Sequence, residues 1–449
     1  MKDRQLFGTD GIRGVAGEYP LDAATVFAFG RALGQWAARH GSPPAVVIGV
    51  DTRESGPWLA DCVASGLARE GAAPHFAGVI TTPGIAYLTR TDQFAAGVMI
   101  SASHNPYEDN GLKVFDHSGH KLPDAEEHQL ETVISGLAGA EAAPATRKAP
   151  AEPELDERYL DYLASLGPPL DGIHIAVDCG HGAASRLGPA LFARLGARVS
   201  AVCREPDGRN INLACGALHP GRVREEVLAV GADLGVAFDG DADRAIFVSR
   251  SGRIVDGDGV MLICGRAMQT QGRLTGDDGR PLVVATVMSN LGLERALAAS
   301  GIRMLRTPVG DKYVLEEMIR RKAALGGEQS GHVIFRDCAT TGDGLLTALR
   351  LVGVMRESGR ELDELMAGME VFPQILINVR VREKRPLAEL DGVQRIIREG
   401  EAAFGDAGRI LVRFSGTEPL ARVMIEGADR AMVEFHGRRI AEALRIELG

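Results

Sequence analysis

Two stretches carry residues whose types and spacing could do chemistry. In SASHNPYEDNGLKVF, Ser103 comes just after the apolar run AAGVMI and directly before His104, Asn105 and Pro106. A serine there presents its hydroxyl at a strand end, with backbone N–H groups nearby to hold an anion. In FDGDADR, Asp239, Asp241 and Asp243 alternate after LGVAF. Three hard carboxylates this close repel one another unless a hard cation such as Mg²⁺ lies between them. A nucleophile, a cation and a proton acceptor and donor are the parts that phosphoryl transfer needs. Lys113, ten residues beyond Ser103, and the adjacent His104 are the proton candidates.

Each reading has a plainer rival. Ser103 or Asn105 could simply cap a turn or helix, as Ser and Asn commonly do. The aspartates could form a solvated acidic turn. They are not an EF-hand, which needs Gly at its sixth position and Glu at its twelfth where this chain has Arg244 and Arg250. Lys113 alone reads best as a surface lysine; beside Arg13, Arg244 and a cation its pKa would fall far enough to exchange protons. GGEQSGH (326–332) offers Glu328, Ser330 and His332 to sugar hydroxyls, a weak signal by itself. RFSGTEPLAR offers Arg413, Ser415, Gly416, Thr417 and Arg422: small residues that open a backbone nest and two arginines that fork onto phosphate oxygens. FGTDGIRG adds Arg13 in a Gly-flanked loop.

These loops fall at matching places in a threefold repeat. AVVIGVD (45–51), IHIAVD (173–178) and LVVATV (282–287) are apolar without alternation, which predicts strands covered on both faces of parallel sheets. Each leads into a helical stretch ending at Gly, then a second strand and a turn: TTPG (81–84), EPDG (205–208) and TPVG (307–310). The third strand of each unit ends in SASHN, DGDAD or GEQSG. Ligands of open α/β sheets bind beyond the carboxyl ends of strands, so the three loops should face one site. From about residue 371 the pattern changes to strand, helix, two strands and a closing helix. The expected fold is α/β: three similar domains with mixed, mainly parallel sheets (1–152, 153–255, 256–370) and a smaller α+β domain (371–449) around a central cleft. GLAGAEAAPATRKAPAEPELDE (136–157) reads as the connection between the first two.

Composition sets outer bounds. A chain of 449 residues, 45% hydrophobic, should divide into roughly three or four domains. A net charge of −10 argues against nucleic acid as a partner but not against a small phosphorylated substrate. No apolar stretch reaches membrane-spanning length, the start carries no secretory pattern, and six cysteines without a C-x-x-C pair predict reduced packing residues. A cytoplasmic enzyme without membrane contact is expected.

Together and in this order, FGTDGIRG, ISASHNPYEDNGLK, DGDADR, GGEQSGH and RFSGTEPLARVM resemble the α-D-phosphohexomutase superfamily over essentially the whole chain. The resemblance implies an intramolecular phosphotransferase of the isomerase class that interconverts hexose 6- and 1-phosphates. It would work through a phosphoserine and a sugar 1,6-bisphosphate, which serves as intermediate and activator. Ser103 would be the phosphoserine, with Mg²⁺ held by Asp239, Asp241, Asp243 and the phosphate on Ser103. Lys113 would be the general acid and base, with His104, Arg13 and Arg244 around the transferring group. Glu328 and Ser330 would take sugar hydroxyls; Arg413, Ser415, Gly416, Thr417 and Arg422 would take the distal phosphate.

Within the superfamily, I-S-A-S-H-N-P and Gln329 are similar to members acting on glucosamine phosphates, which feed amino-sugar nucleotide and cell-wall precursor synthesis. Mannose or glucose phosphates are the alternative, since hexose-specific relatives more often carry Met in place of that Gln. A sugar-phosphate-binding regulator without catalysis and a metal-dependent phosphatase are rivals, and homodimer formation stays open. One departure is DCGHGAAS, where relatives usually have Ala-Asn in place of Gly180-His181; structural consequences alone are expected of it.

Overall fold

The computed structural model describes residues 6–8, 10–41, 44–92, 94–137, 150–415 and 419–449. The chain forms two compact units, one of residues 1–288 and 302–367, the other of residues 289–301 and 368–449.

The first unit opens with β1 (Phe7–Gly8), β2 (Gly11–Val15), α1 (Ala23–His40), β3 (Ala45–Val50), α2 (Gly56–Arg69) and β4 (Ala73–Val79). It continues through α3 (Thr82–Thr91), β5 (Ala96–Ile100), β6 (Asp109–Asp116) and α4 (Asp124–Leu137). Next come α5 (Pro153–Leu166), β7 (His174–Asp178), α6 (Ala184–Arg194), β8 (Arg198–Val202), α7 (Gly221–Val230), β9 (Leu234–Phe238), β10 (Ala245–Ser249) and β11 (Ile254–Val255). The last stretch has α8 (Gly257–Thr270) and β12 (Leu282–Thr286) before the chain passes through α9 (Leu291–Ala299) of the second unit. It returns with β13 (Arg303–Thr307), α10 (Asp311–Arg320), β14 (Leu325–Gly327), β15 (Val333–Phe335), α11 (Gly344–Ser358) and α12 (Leu362–Leu365).

The three apolar runs are the central strands β3, β7 and β12. Each pairs in parallel on both sides, giving the orders β4-β3-β5, β8-β7-β9 and β13-β12-β14. With a neighbour on each edge and helices over the faces, these strands keep few polar positions: Val46, Val47 and Ile48 are buried, as are Ile175 to Val177 and Leu282 to Ala285. Each fully buried Val or Ile contributes roughly 1.5–3 kcal/mol of transfer free energy. A fourth strand then adds antiparallel in every repeat: β6 on β5, β10 on β9, and β15 on β14. The sequence pattern did not reveal this strand, because NGLKVF, RAIFVS and HVIF are too short to show their period.

Two expectations need correction. TTPG does not form a turn but opens α3: Thr81 Oγ1 accepts from the Gly84 N–H at 3.1 Å, and proline stands at the first helical turn, where its missing N–H costs nothing. The segment 136–157 is not all connection. Helix α4 runs to Leu137, and EPELDE belongs mostly to α5, begun by Pro153 with Glu154 and Asp156 in its first turn, where acidic residues favour the helix dipole. Residues 138–149 of that segment lie outside the described residues.

The second unit holds β16 (Gln374–Arg380), α13 (Asp391–Phe404), β17 (Gly408–Phe414), β18 (Leu420–Gly427) and α14 (Arg430–Leu448). Its sheet is antiparallel in the order β16-β18-β17, with Val423, Ile425, Val433, Ile440 and Leu444 in its core. No helix among the described residues is long and apolar enough to cross a membrane.

Candidate active site

Within the first unit the loops after β5, β9 and β14 converge. Ser103 is buried with φ of 53°, a left-handed conformation uncommon away from glycine. The turn aims its Oγ at Asp239, to which it donates at 2.6 Å. A buried polar frame holds the turn. The Ser103 N–H donates to Ser101 Oγ (2.9 Å), and Ser101 Oγ donates to Asp51 Oδ2 (2.6 Å). Arg53, ion-paired to Asp51 with both side chains fully buried, donates to the carbonyls of Ser103 (3.2 Å) and Asn105 (2.6 Å). Ser103 is therefore no surface turn cap, because nothing about a cap would require this frame behind it.

The aspartate loop passes the Ser103 turn so closely that a Cβ at Gly240 would collide with the Ser103 carbonyl. Asp239, Asp241 and Asp243 are all buried, and their ligand atoms lie within 4.8 Å of one another. Burial, then Asp243 and Asp241, push the Asp239 carboxyl well above the usual carboxylate range. Asp241 Oδ2 accepts from Thr82 Oγ1 (2.5 Å) and Lys113 Nζ (2.8 Å), whereas Asp241 Oδ1 and Asp243 Oδ1 are buried without a hydrogen-bond partner. Orphaned carboxylate oxygens in a dry acidic cluster are costly on their own and fit a hard dication such as Mg²⁺. A solvated acidic turn does not describe them.

Lys113 lies on β6, the strand that sequence reasoning missed, and its side chain is 1% exposed. It is not a surface lysine. Its Nζ is 2.8 Å from Asp241, 3.3 Å from Asp10 and 3.7 Å from Asp243. Burial works against its charge, but the attraction of Asp10, Asp241 and Asp243 outweighs both that and the repulsion of Arg13, so its pKa is raised. The lowered value expected from the sequence counted a bound cation beside the arginines; these three carboxylates pull the other way. His104 behaves in the opposite sense. Burial, then Arg244 and Arg13, bring it down to about 4, leaving a neutral ring whose Nδ1 is 3.4 Å from Ser103 Oγ and 3.2 Å from Arg244 Nη1. Arg244 also donates its backbone N–H to Asp239 (3.1 Å), and Arg13 donates to the Ala102 carbonyl (3.2 Å) while pairing with Asp10.

The loop after β14 joins this cluster. His332 Nε2 accepts the Gly342 N–H (3.0 Å), which places the ring proton on Nδ1, 3.6 Å from Asp243. Glu328 is buried and accepts the Gly310 N–H (3.0 Å), so one of its oxygens braces the TPVG segment; Ser330 is exposed. In the second unit, Arg413 on β17 and Arg422 on β18 stand directly opposite in register. Like charges facing across strands destabilise a sheet, and burial followed by Arg422 lowers the pKa of Arg413, an arrangement that an anion would relieve. Ser415 N–H donates to the Leu420 carbonyl (2.8 Å); Gly416 and Thr417 lie outside the described residues.

Sequence reasoning missed Asp51 and Arg53, Asp10 with its partner Lys121, and Asp311, which pairs with Lys121 at 2.6 Å. A signal existed for the first two: a charged pair ending an apolar run is where a parallel strand delivers polar groups to a site.

Family models for the three alpha/beta/alpha domains and the C-terminal domain of phosphoglucomutase/phosphomannomutase match residues 4–138, 157–252, 256–372 and 376–443. The chain belongs to this family, the α-D-phosphohexomutases. It is thus an enzyme of the isomerase class built as three α/β domains and a C-terminal domain. A phosphoglucosamine mutase of Solibacter usitatus is 61% identical over 447 residues, 99% of each chain. One of Koribacter versatilis is 50% identical over 458 residues, 99% of this chain and 98% of the relative. Among solved structures, a phosphoglucomutase/phosphomannomutase family protein of Burkholderia thailandensis has a TM-score of 0.81 at 23% identity, covering 99% of this chain and 98% of that one. An Aspergillus fumigatus N-acetylphosphoglucosamine mutase, solved with GlcNAc-6P and magnesium, has a TM-score of 0.65 at 18% identity, covering 99% and 96%. At such identities these two speak to the fold alone.

Proposed function

We propose that the enzyme interconverts glucosamine 6-phosphate and glucosamine 1-phosphate through phosphorylated Ser103 and a glucosamine 1,6-bisphosphate. The observation that carries the chemistry is Ser103 Oγ, held 2.6 Å from Asp239 at the mouth of a buried three-aspartate loop and beside a neutral His104. The choice of sugar rests on the phosphoglucosamine mutases, 61% and 50% identical, that align over nearly the full length.

In the first half-reaction O1 of glucosamine 6-phosphate bonds to the phosphorus as the Ser103 Oγ–P bond breaks; O1 gives up one proton and Oγ gains one. After the bisphosphate turns round, Ser103 Oγ gives up its proton and bonds to the phosphorus of the 6-phosphate as the P–O6 bond breaks and O6 gains a proton. Nothing is consumed over the cycle. Asp239, Asp241 and Asp243 would hold Mg²⁺, which supplies positive charge against the oxygens of the transferring phosphoryl group. Lys113 Nζ, kept in place by Asp10 and Asp241, would move the sugar proton. Arg13 and Arg244 would face the transferring group, and the neutral His104, its Nδ1 3.4 Å from Oγ, would stand beside it without adding charge. Glu328 and Ser330 would bind sugar hydroxyls. Arg413 with Arg422 fits a distal phosphate, which the pair would take from either end of the sugar. A sugar 1,6-bisphosphate would also load Ser103 at the outset.

Initial rates on glucosamine, mannose and glucose phosphates, each with its bisphosphate primer, test the assignment. The glucosamine compound should lead in kcat/KM. Preference for mannose or glucose phosphate would move the enzyme to the phosphomannomutase/phosphoglucomutase branch, and phosphate release in step with isomerisation would make it a phosphatase.

A further inference from the structure

We propose that His181, Cys203 and Cys215 form a second metal site, separate from the aspartate loop, for a borderline-soft dication of the zinc class. His181 follows β7, Cys203 follows β8 and Cys215 lies in the loop leading to α7, so three turns at one end of the sheet bring together one imidazole and two thiols. Their ligand atoms all lie within 4.8 Å of one another. His181 Nδ1 is buried and has no hydrogen-bond partner, an uncommon condition for a ring nitrogen that water cannot reach. Two sulfurs and an imidazole nitrogen select zinc-like ions over Mg²⁺, whose preference is for oxygen, and three protein ligands leave a fourth position for water.

The surroundings support ligation. The buried Asp178 carboxylate accepts from the Gly180 N–H (2.9 Å) and the Gly216 N–H (3.0 Å), tying the His181 turn to the Cys215 loop and placing negative charge behind a cation. Arg222 is hydrogen bonded to the Cys203 sulfur; burial and then Asp178 raise that thiol's pKa, so a bound cation would have to displace its proton. His181 (φ 49°), Cys203 (φ 50°) and Ala214 (φ 53°) are all non-glycine residues in the left-handed region, so the loops keep a costly backbone to bring these side chains together.

Asn212, three residues before Cys215, donates to the Ser103 carbonyl at 3.0 Å, and the His181 carbonyl accepts from Thr52 Oγ1 at 2.5 Å. An ion here would therefore stiffen loops that buttress the Ser103 turn.

The test is titration of the full-length, reduced protein, saturated with Mg²⁺, first with Co²⁺ and then with Zn²⁺. A thiolate-to-cobalt charge-transfer band should rise to a single equivalent, survive the Mg²⁺, and vanish as Zn²⁺ displaces Co²⁺. Cys203→Ser and Cys215→Ser should each abolish the band. His181→Asn, which keeps a residue tolerant of the left-handed backbone, should weaken Zn²⁺ binding at least about tenfold. Cys203 is only half-buried, so its serine variant should fold even if the Cys215 variant does not. The proposal is overturned if no band forms, if the band persists in the Cys203→Ser protein, or if His181→Asn binds Zn²⁺ as tightly as the parent.

Discussion

Ser103 Oγ donates to Asp239 Oδ2 at 2.6 Å although 136 positions separate the two residues in the chain. The contact exists because each ends the third strand of its repeat. Two copies of one strand–helix–strand–helix–strand–strand unit, set with their carboxyl ends together, bring a hydroxyl from one against a carboxylate of the other. Asp239 is pushed well above the usual carboxylate range mainly by burial, so this hydrogen bond joins two groups that both gain from company.

Ser103→Ala should leave the fold intact, since the hydroxyl makes none of the bonds that hold the turn; these run through the backbone N–H and carbonyl. Isomerisation should drop to background, and acid-stable phosphate on the protein should disappear. Normal turnover by the alanine variant would defeat the phosphoserine route.

Metal removal should act on stability as well as rate. Asp241 Oδ1 and Asp243 Oδ1 are buried without a hydrogen-bond partner, so a dication relieves both desolvation and mutual repulsion. EDTA should abolish activity, and Mg²⁺ at a hundredfold excess over its Kd should add about 2.7 kcal/mol of stability, read as a rise in Tm. Asp241→Asn should lose most of that Mg²⁺ response. A Tm indifferent to Mg²⁺ would remove the aspartate loop as the metal site.

Much of this was legible in the sequence, for physical reasons. Central parallel strands cannot carry alternation, so AVVIGVD, IHIAVD and LVVATV declared themselves, and their spacing gave the repeat and the positions of the Ser103 and Asp239 loops. What stayed hidden depended on partners far along the chain. Lys113 looked exposed because nothing local shows that β6 is covered or that Asp10 and Asp241 surround its amine. The Asp51 and Arg53 pair was invisible for the same reason: its purpose is the Ser103 and Asn105 carbonyls some fifty residues away. His181 could be seen only as a departure from its relatives, since the two thiols it meets come from other loops.

Arg53→Met tests that frame. Losing the guanidinium leaves the Asp51 carboxylate buried with Ser101 and the Arg53 backbone N–H as its donors, and strips a donor from the Ser103 and Asn105 carbonyls. Breaking a buried pair by removing one partner costs about 3–5 kcal/mol. Urea denaturation should show a loss of that size, with kcat reduced because the Ser103 turn loosens. A variant as stable as the parent would mean that the turn is held by Asn212 and Ser101 alone.

The pH dependence of stability has a contributor away from the metal loop. Asp343 caps α11, accepting from the Leu346 N–H (2.9 Å) and the Tyr159 hydroxyl (2.8 Å), and burial raises its pKa from 3.8 to about 6 against the pull of those bonds. The unfolded carboxyl releases its proton near 3.8, while the folded one keeps it to about 6. Over that window the folded state binds more protons, so this residue's contribution is complete below the window and fades as the pH rises through it. The shift corresponds to on the order of 3 kcal/mol. Asp343→Asn keeps an oxygen for the Leu346 N–H, can turn its amide N–H₂ to the Tyr159 oxygen, and cannot ionise. Relative to the parent it should gain stability above the window and not below it, as read by urea denaturation on either side. An equal difference at both pH values would show that Asp343 has the same pKa folded and unfolded, its burial offset by the Tyr159 and Leu346 bonds.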